Sequence, residues 1–135
     1  MHLDHIGIAV ENLARARAFY EGSFGARFAG EFDLPEEGIR IAWLDSGSAA
    51  LELMAPTGEG AISRFMGKRG PGLHHLGYRV DRIGEVLEGM RAAGYELIDG
   101  TPRPGLGGRI IAFLHPRSAG GVLVELCEGK LQLGK

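Results

Sequence analysis

Residues 3–10 read LDHIGIAV, and their side chains alternate in character: Ile6, Ile8 and Val10 share one face, His5, Gly7 and Ala9 the other. A period of two predicts a strand. The period then changes. Leu13, Ala16, Tyr20 and Phe24 recur at helical spacing, with Asn12 placed as the N-cap and Gly25 as the C-terminal stop. Three more strands are predicted, over residues 26–32, 39–44 and 50–54.

The same order of elements is written again 70 residues later. His75 matches His5, Gly77 matches Gly7, Val80 matches Val10 and Ile83 matches Leu13. Leu76, Tyr78 and Val80 oppose His75, Gly77 and Arg79 in a second alternating strand. Ile83, Val86, Leu87, Met90 and Ala93 form a second helical stripe, with Asp81 as its expected cap and Gly94 as its stop. Strands are predicted over 95–97, 109–114 and 122–127. The unit is β-α-β-β-β, present twice. Between the copies, residues 55–72 have Gly/Pro-rich ends, and Ile62, Phe65 and Met66 predict one short helix.

These elements fit an α+β chain of 135 residues: two β-α-β-β-β modules pairing into a curved mixed sheet around a cleft. The expected layout is one domain, with module one at 1–56, a linker helix at 57–71, module two at 72–128 and a C-terminal tail at 129–135. Composition narrows the function. A net charge of −2 points to neither a nucleic acid nor an anionic membrane as partner. No apolar run is long enough to span a bilayer. The first residues, MHLDHIG, read as the start of structure rather than as a signal peptide. A single cysteine, Cys127, rules out an internal disulfide and fits a reducing cytoplasm.

The chemistry lies in residues that core strands do not need. Each copy opens with a strand histidine beside a glycine, and each closes with a strand glutamate: Glu52 in ALELM and Glu125 in LVELC. A carboxylate within a core strand is costly unless it is paired or binds a metal. Alternation places Glu52 opposite the helix-facing Leu51 and Leu53, and Glu125 opposite Val124 and Leu126. Each module therefore supplies one histidine and one carboxylate, and His5, Glu52, His75 and Glu125 are the expected ligands of one divalent ion: Co, Ni, Mn, Fe or Zn. His74 points to the other face of its strand. His2 reads as a disordered-end residue, and His115 sits at a strand end. Lys68, Arg69, Arg103 and Arg117 fall in predicted loops and read as solvated surface charges.

The duplicated module with this ligand pattern resembles the vicinal oxygen chelate superfamily, and most of all its methylmalonyl-CoA epimerases. The resemblance runs from residue 3 to residue 128. It is carried by DHIGIAVENL, ARAFYEGSFGA, DLPEEGIRIAWL, ALELMAP, ISRFMGKRGPGLHHLGYRVD, GGRIIAFLHP and GGVLVEL. It implies the vicinal oxygen chelate fold, a metal held by His5, Glu52, His75 and Glu125, an acyl-CoA substrate and a homodimer. The implied reaction interconverts (R)- and (S)-methylmalonyl-CoA by removal and return of the C2 proton through a metal-stabilised enolate. Glu125 is the first candidate proton carrier and Glu52 the second. Two departures stand out. Many epimerases carry glutamine where this chain has Glu52, and a third-strand glutamate of some epimerases is matched here by Ile41. Two alternatives share the frame: a glyoxalase I-type lactoylglutathione lyase, and a small-molecule binding or resistance protein. Glyoxalases typically read DPDG-Y-x-IEL in the last hairpin, where this chain reads HPRSAGGVLVEL. Binding proteins of this fold usually lose the metal ligands, and this chain keeps all four.

Overall fold

A computed structural model describes residues 1–133. The chain divides into two compact units. One holds His5–His74 with Leu133; the other holds Met1–Asp4 with His75–Gln132.

In the first unit, the strands β1 (His2–Ala9, of which residues 5–9 belong to this unit), β2 (Arg27–Leu34), β3 (Ile39–Asp45) and β4 (Ala50–Pro56) lie in the order β2-β3-β4-β1. The β1 and β4 strands are parallel, and the other pairs are antiparallel. Helix α1 (Leu13–Phe24) crosses one face of this sheet. Leu13, Ala16 and Tyr20 pack there on Ala26, Ala42, Leu44 and Leu53. The opposite face carries His5, Trp43 and Glu52, so the sheet separates the hydrophobic layer from the polar one.

The ends of α1 follow local chemistry. Asn12 has an extended backbone, and its side-chain oxygen accepts a bond from the Arg15 amide at 2.8 Å. Gly25 closes the helix in the left-handed region, at φ 71°. Replacing Asn12 by alanine should cost about 1 kcal/mol of stability, measurable by urea denaturation. The stripe differs from expectation at its last member. Phe24 is exposed and stacks edge-on with Phe19, because the core beneath α1 ends at Tyr20.

Helix α2 (Ala61–Arg69) buries Ile62 and sets Phe65 edge-on against the His74 ring. Lys68 and Arg69 lie in its last turn rather than in a loop. There they face the favourable end of the helix dipole.

In the second unit, β5 (Gly72–Arg79), β6 (Arg103–Pro104), β7 (Ile110–Leu114) and β8 (Val124–Glu128) lie in the order β5-β8-β7-β6. The β5 and β8 strands are parallel. Helix α3 (Ile83–Ala92) buries Ile83 and Leu87 against Val80, Ala112, Leu114 and Leu126.

Two expectations are corrected here. The cap of α3 is not Asp81. Arg82 takes the N-cap position without a side-chain bond, and the Ile83 amide donates to the Glu128 carboxylate of β8 at 2.8 Å. Residues 95–97 form no strand, only a single bridge between Leu97 and Leu114. Beyond it the Ile98 and Asp99 amides both donate to the Phe113 carbonyl, and the Asp99 carboxylate accepts from the Phe113 amide. These bonds anchor the segment without a ladder, and the short β6 takes the place next to β7. Among the described residues, no helix is long and apolar enough to cross a membrane.

Candidate metal centre and active site

Strand register explains how each histidine meets its glutamate. In the first unit Gly7 of β1 stands directly opposite Glu52 of β4. With no Cβ at that place, the Glu52 side chain has room above the sheet. His5, two residues earlier on the same face, brings Nε2 to 3.7 Å from Glu52 Oε1. On the other side Trp43 of β3 pairs with Glu52, and its ring centroid lies 5.0 Å from that of His5. The second unit repeats this design. Gly77 of β5 stands opposite Glu125 of β8, and His75 Nε2 lies 3.3 Å from Glu125 Oε1. Phe113 of β7 pairs with Glu125, and its ring lies 6.1 Å from His75.

All four residues are buried, between 3% and 8% exposed. Two atoms each about 2.0–2.2 Å from one ion can be at most about 4.4 Å apart. Both His–Glu pairs meet that limit, and both exceed the usual N–H···O hydrogen-bond range of about 2.7–3.2 Å. The donor chemistry agrees, since imidazole and carboxylate together suit a divalent ion of borderline hardness. Each pair therefore sets a buried imidazole and a buried carboxylate at a separation that one divalent ion could bridge.

Trp43 and Phe113 had no place among the residues picked out from sequence. A signal was available, since they stand at the same 70-residue offset as His5 and His75. In the strand register each stands beside its carboxylate, Trp43 opposite Glu52 and Phe113 opposite Glu125. Ile41 is buried in β3, on the Trp43 face and opposite Met54, so hydrocarbon occupies that place.

The remaining histidines lie elsewhere. His74 faces α2, as alternation requires. His2 is not a loose end: it belongs to β1, and its Nε2 lies 2.6 Å from an Arg79 guanidinium nitrogen. His115 accepts the Arg117 amide on Nδ1 at 3.0 Å and thereby caps the turn at Pro116–Ser118.

One buried ion pair was also missed. Arg109 forks onto the Asp4 carboxylate, with Nη1 2.5 Å from Oδ2 and Nη2 3.0 Å from Oδ1. Nη1 is also 3.4 Å from Cys127 Sγ. Burial works against the guanidinium charge. The Asp4 hydrogen bond, with the fields of Cys127, Asp4 and Glu125, outweighs it and raises the pKa above its ordinary value.

The family model described as "Glyoxalase/Bleomycin resistance protein/Dioxygenase superfamily" matches residues 4–113. The ethylmalonyl-CoA/methylmalonyl-CoA epimerase of Cereibacter sphaeroides is 35% identical over 127 residues, covering 92% of this chain and 95% of that one. The chain belongs to the methylmalonyl-CoA epimerase family of that superfamily. A crystal structure of the family from Mycobacterium tuberculosis is 39% identical, covers 96% of this chain and 88% of its own, and superposes with a TM-score of 0.88. A methylmalonyl-CoA epimerase in complex with methylmalonyl-CoA and ammonium is 30% identical, with 98% of both chains covered and a TM-score of 0.85. The fold expected from the duplicated pattern is thus the fold of the epimerase family. In this epimerase homologue the residue beside His5 is a carboxylate, Glu52.

Proposed function

We propose that this protein is a metal-dependent epimerase that interconverts (R)- and (S)-methylmalonyl-CoA. The observation that carries the reading is the twice-built, buried His–Glu pair, in a chain similar over 92% of its length to an ethylmalonyl-CoA/methylmalonyl-CoA epimerase. His5, Glu52, His75 and Glu125 would together hold one divalent ion. Bound there, the ion would supply Lewis-acid stabilisation of the negative charge that develops on the thioester oxygen as the C2 proton leaves.

The chain's own residues do the rest. Epimerisation needs a proton removed from one face of C2 and one returned to the other. Glu125 and Glu52 hold equivalent places in the two modules, and each serves one face. A glutamate held by the ion would have to release it as substrate binds before it could take the proton. Trp43 and Phe113 would set aromatic surface beside the two carboxylates and shield the developing enolate from stray protonation. Ile41 offers no base, so both proton transfers fall to the two glutamates. The substrate is a CoA thioester with an acidic C–H between two carbonyl carbons. The resemblance also implies a homodimer, for which light scattering should give a mass twice that of the chain.

Proton NMR in D₂O tests the reading. Methylmalonyl-CoA is incubated with Co²⁺-loaded protein and, separately, with protein stripped by a chelator. The C2 proton signal should disappear rapidly with the loaded protein and only at the spontaneous rate with the stripped one. Bound metal without exchange would reject the epimerase and turn the work to methylglyoxal and glutathione, the substrates of a glyoxalase I-type lyase. Neither metal nor exchange would favour a small-molecule binding protein.

A further inference from the structure

The Asp4–Arg109 pair is buried, with side chains only 9% and 7% exposed. Such a pair adds little net stability, since apolar residues of the same volume do as well or better. Its geometry offers something that apolar residues cannot. A planar guanidinium holding both carboxylate oxygens fixes distance and orientation together. Arg109 is itself anchored, its carbonyl accepting from the Gly105 amide at 2.8 Å and its amide donating to the Leu106 carbonyl at 3.2 Å.

From that anchor the guanidinium reaches two strands. Asp4 immediately precedes His5 in β1. Cys127 lies two residues beyond Glu125 in β8, on the same face. Its thiol is held in turn by the Tyr78 carbonyl of β5, at 3.5 Å. Each strand so gripped carries a residue of the proposed metal set.

Resting on the metal-centre reading above, we infer that Arg109 is a positioning residue for the ligands. Its fork on Asp4 fixes the backbone that presents His5, and its contact with Cys127 fixes the strand that presents Glu125. Arg109 touches neither substrate nor ion in this role.

Two variants separate positioning from plain stability. In the first, Asp4→Leu and Arg109→Met are combined, so that no charge is left buried alone. In the second, Arg109→Lys keeps the charge but loses the fork. Each apoprotein is titrated with Co²⁺ alone, by calorimetry and by the visible spectrum of the bound ion, and melted without metal. The paired variant should melt at or above the wild-type temperature, yet bind Co²⁺ about tenfold to a hundredfold more weakly, with an altered spectrum. Arg109→Lys should also bind more weakly, by a smaller factor. If the paired variant fails to fold, Arg109→Lys decides. Wild-type affinity and spectrum in the folded variants would overturn the inference and leave the pair purely structural. A wild-type protein that binds no Co²⁺ would instead reject the metal-centre reading, and this role with it.

Discussion

Replacing Glu125 by glutamine is expected to lower the epimerisation rate by about 10²–10⁴-fold, the usual contribution of a positioned general base. Glutamine keeps the shape and one oxygen of the side chain but cannot take a proton. The fold should persist, because Glu125 lies in β8 between Val124 and Leu126, which keep their packing on the α3 side. The loss should also depend on the substrate's configuration. If Glu125 serves one face of C2 and Glu52 the other, each single variant removes hydrogen exchange from one epimer more than from the other. Incubating each epimer separately in D₂O and following the C2 proton by NMR measures this. The Glu52→Gln variant should show the mirror-image preference. Full turnover by Glu125→Gln with metal still bound would end the assignment of Glu125 as a base.

Much of this fold was legible because the chain writes its pattern twice. A single strand histidine has many explanations, but His5 and His75 at one offset, each followed by a glycine two places on, mark a repeated device. The register gives the physical reason for those glycines: Gly7 and Gly77 stand opposite Glu52 and Glu125. Alternation sorted the faces correctly for His74 and His75. It was less informative about depth. In β1 the face of His5, Gly7 and Ala9 is buried, while Ile6, Ile8 and Val10 are only partly so. Hydropathy alone ranks those two faces the other way round. A functional site can put its polar residues in the drier layer, because their partners rather than water satisfy them.

What the sequence hid were interactions between residues far apart in the chain. The cap of α3 comes from Glu128, 45 residues away, while the local sequence offers only Asp81 beside the helix start. The Asp4–Arg109 fork spans 105 residues and carries no local signature at either end. Residues 95–97 have apolar, strand-like character, yet their neighbours are tied to Phe113 through the Asp99 side chain. Local propensity reports none of these, since in each case a tertiary bond supplies what the local sequence lacks. Trp43 and Phe113 were hidden for a different reason. An aromatic residue in a strand reads as core, and only its pairing with a glutamate gives it a place in the site.

Removing either histidine should have the same effect on metal binding, and this tests whether the two modules serve one ion. With one shared centre, the wild-type protein binds one Co²⁺ per chain. His5→Ala and His75→Ala each weaken that same ion by about a hundredfold or more, since loss of a direct ligand should cost at least as much as loss of its supporting partner. With two independent sites, each built from one histidine and one glutamate, the wild type would bind two ions weakly, and each variant would lose one and leave the other untouched. Stoichiometry and affinity from calorimetry distinguish these cases without reference to activity. The shared centre is expected on energetic grounds. A two-ligand site leaves an ion mostly bound to water, and little is then gained to offset the burial of a carboxylate. Four ligands, two of them anionic, offset it for both glutamates at once. One ion per chain, weakened by either variant, would give a reason for the duplicated module to keep a histidine and a glutamate in both copies, each pair 3.7 Å or 3.3 Å apart.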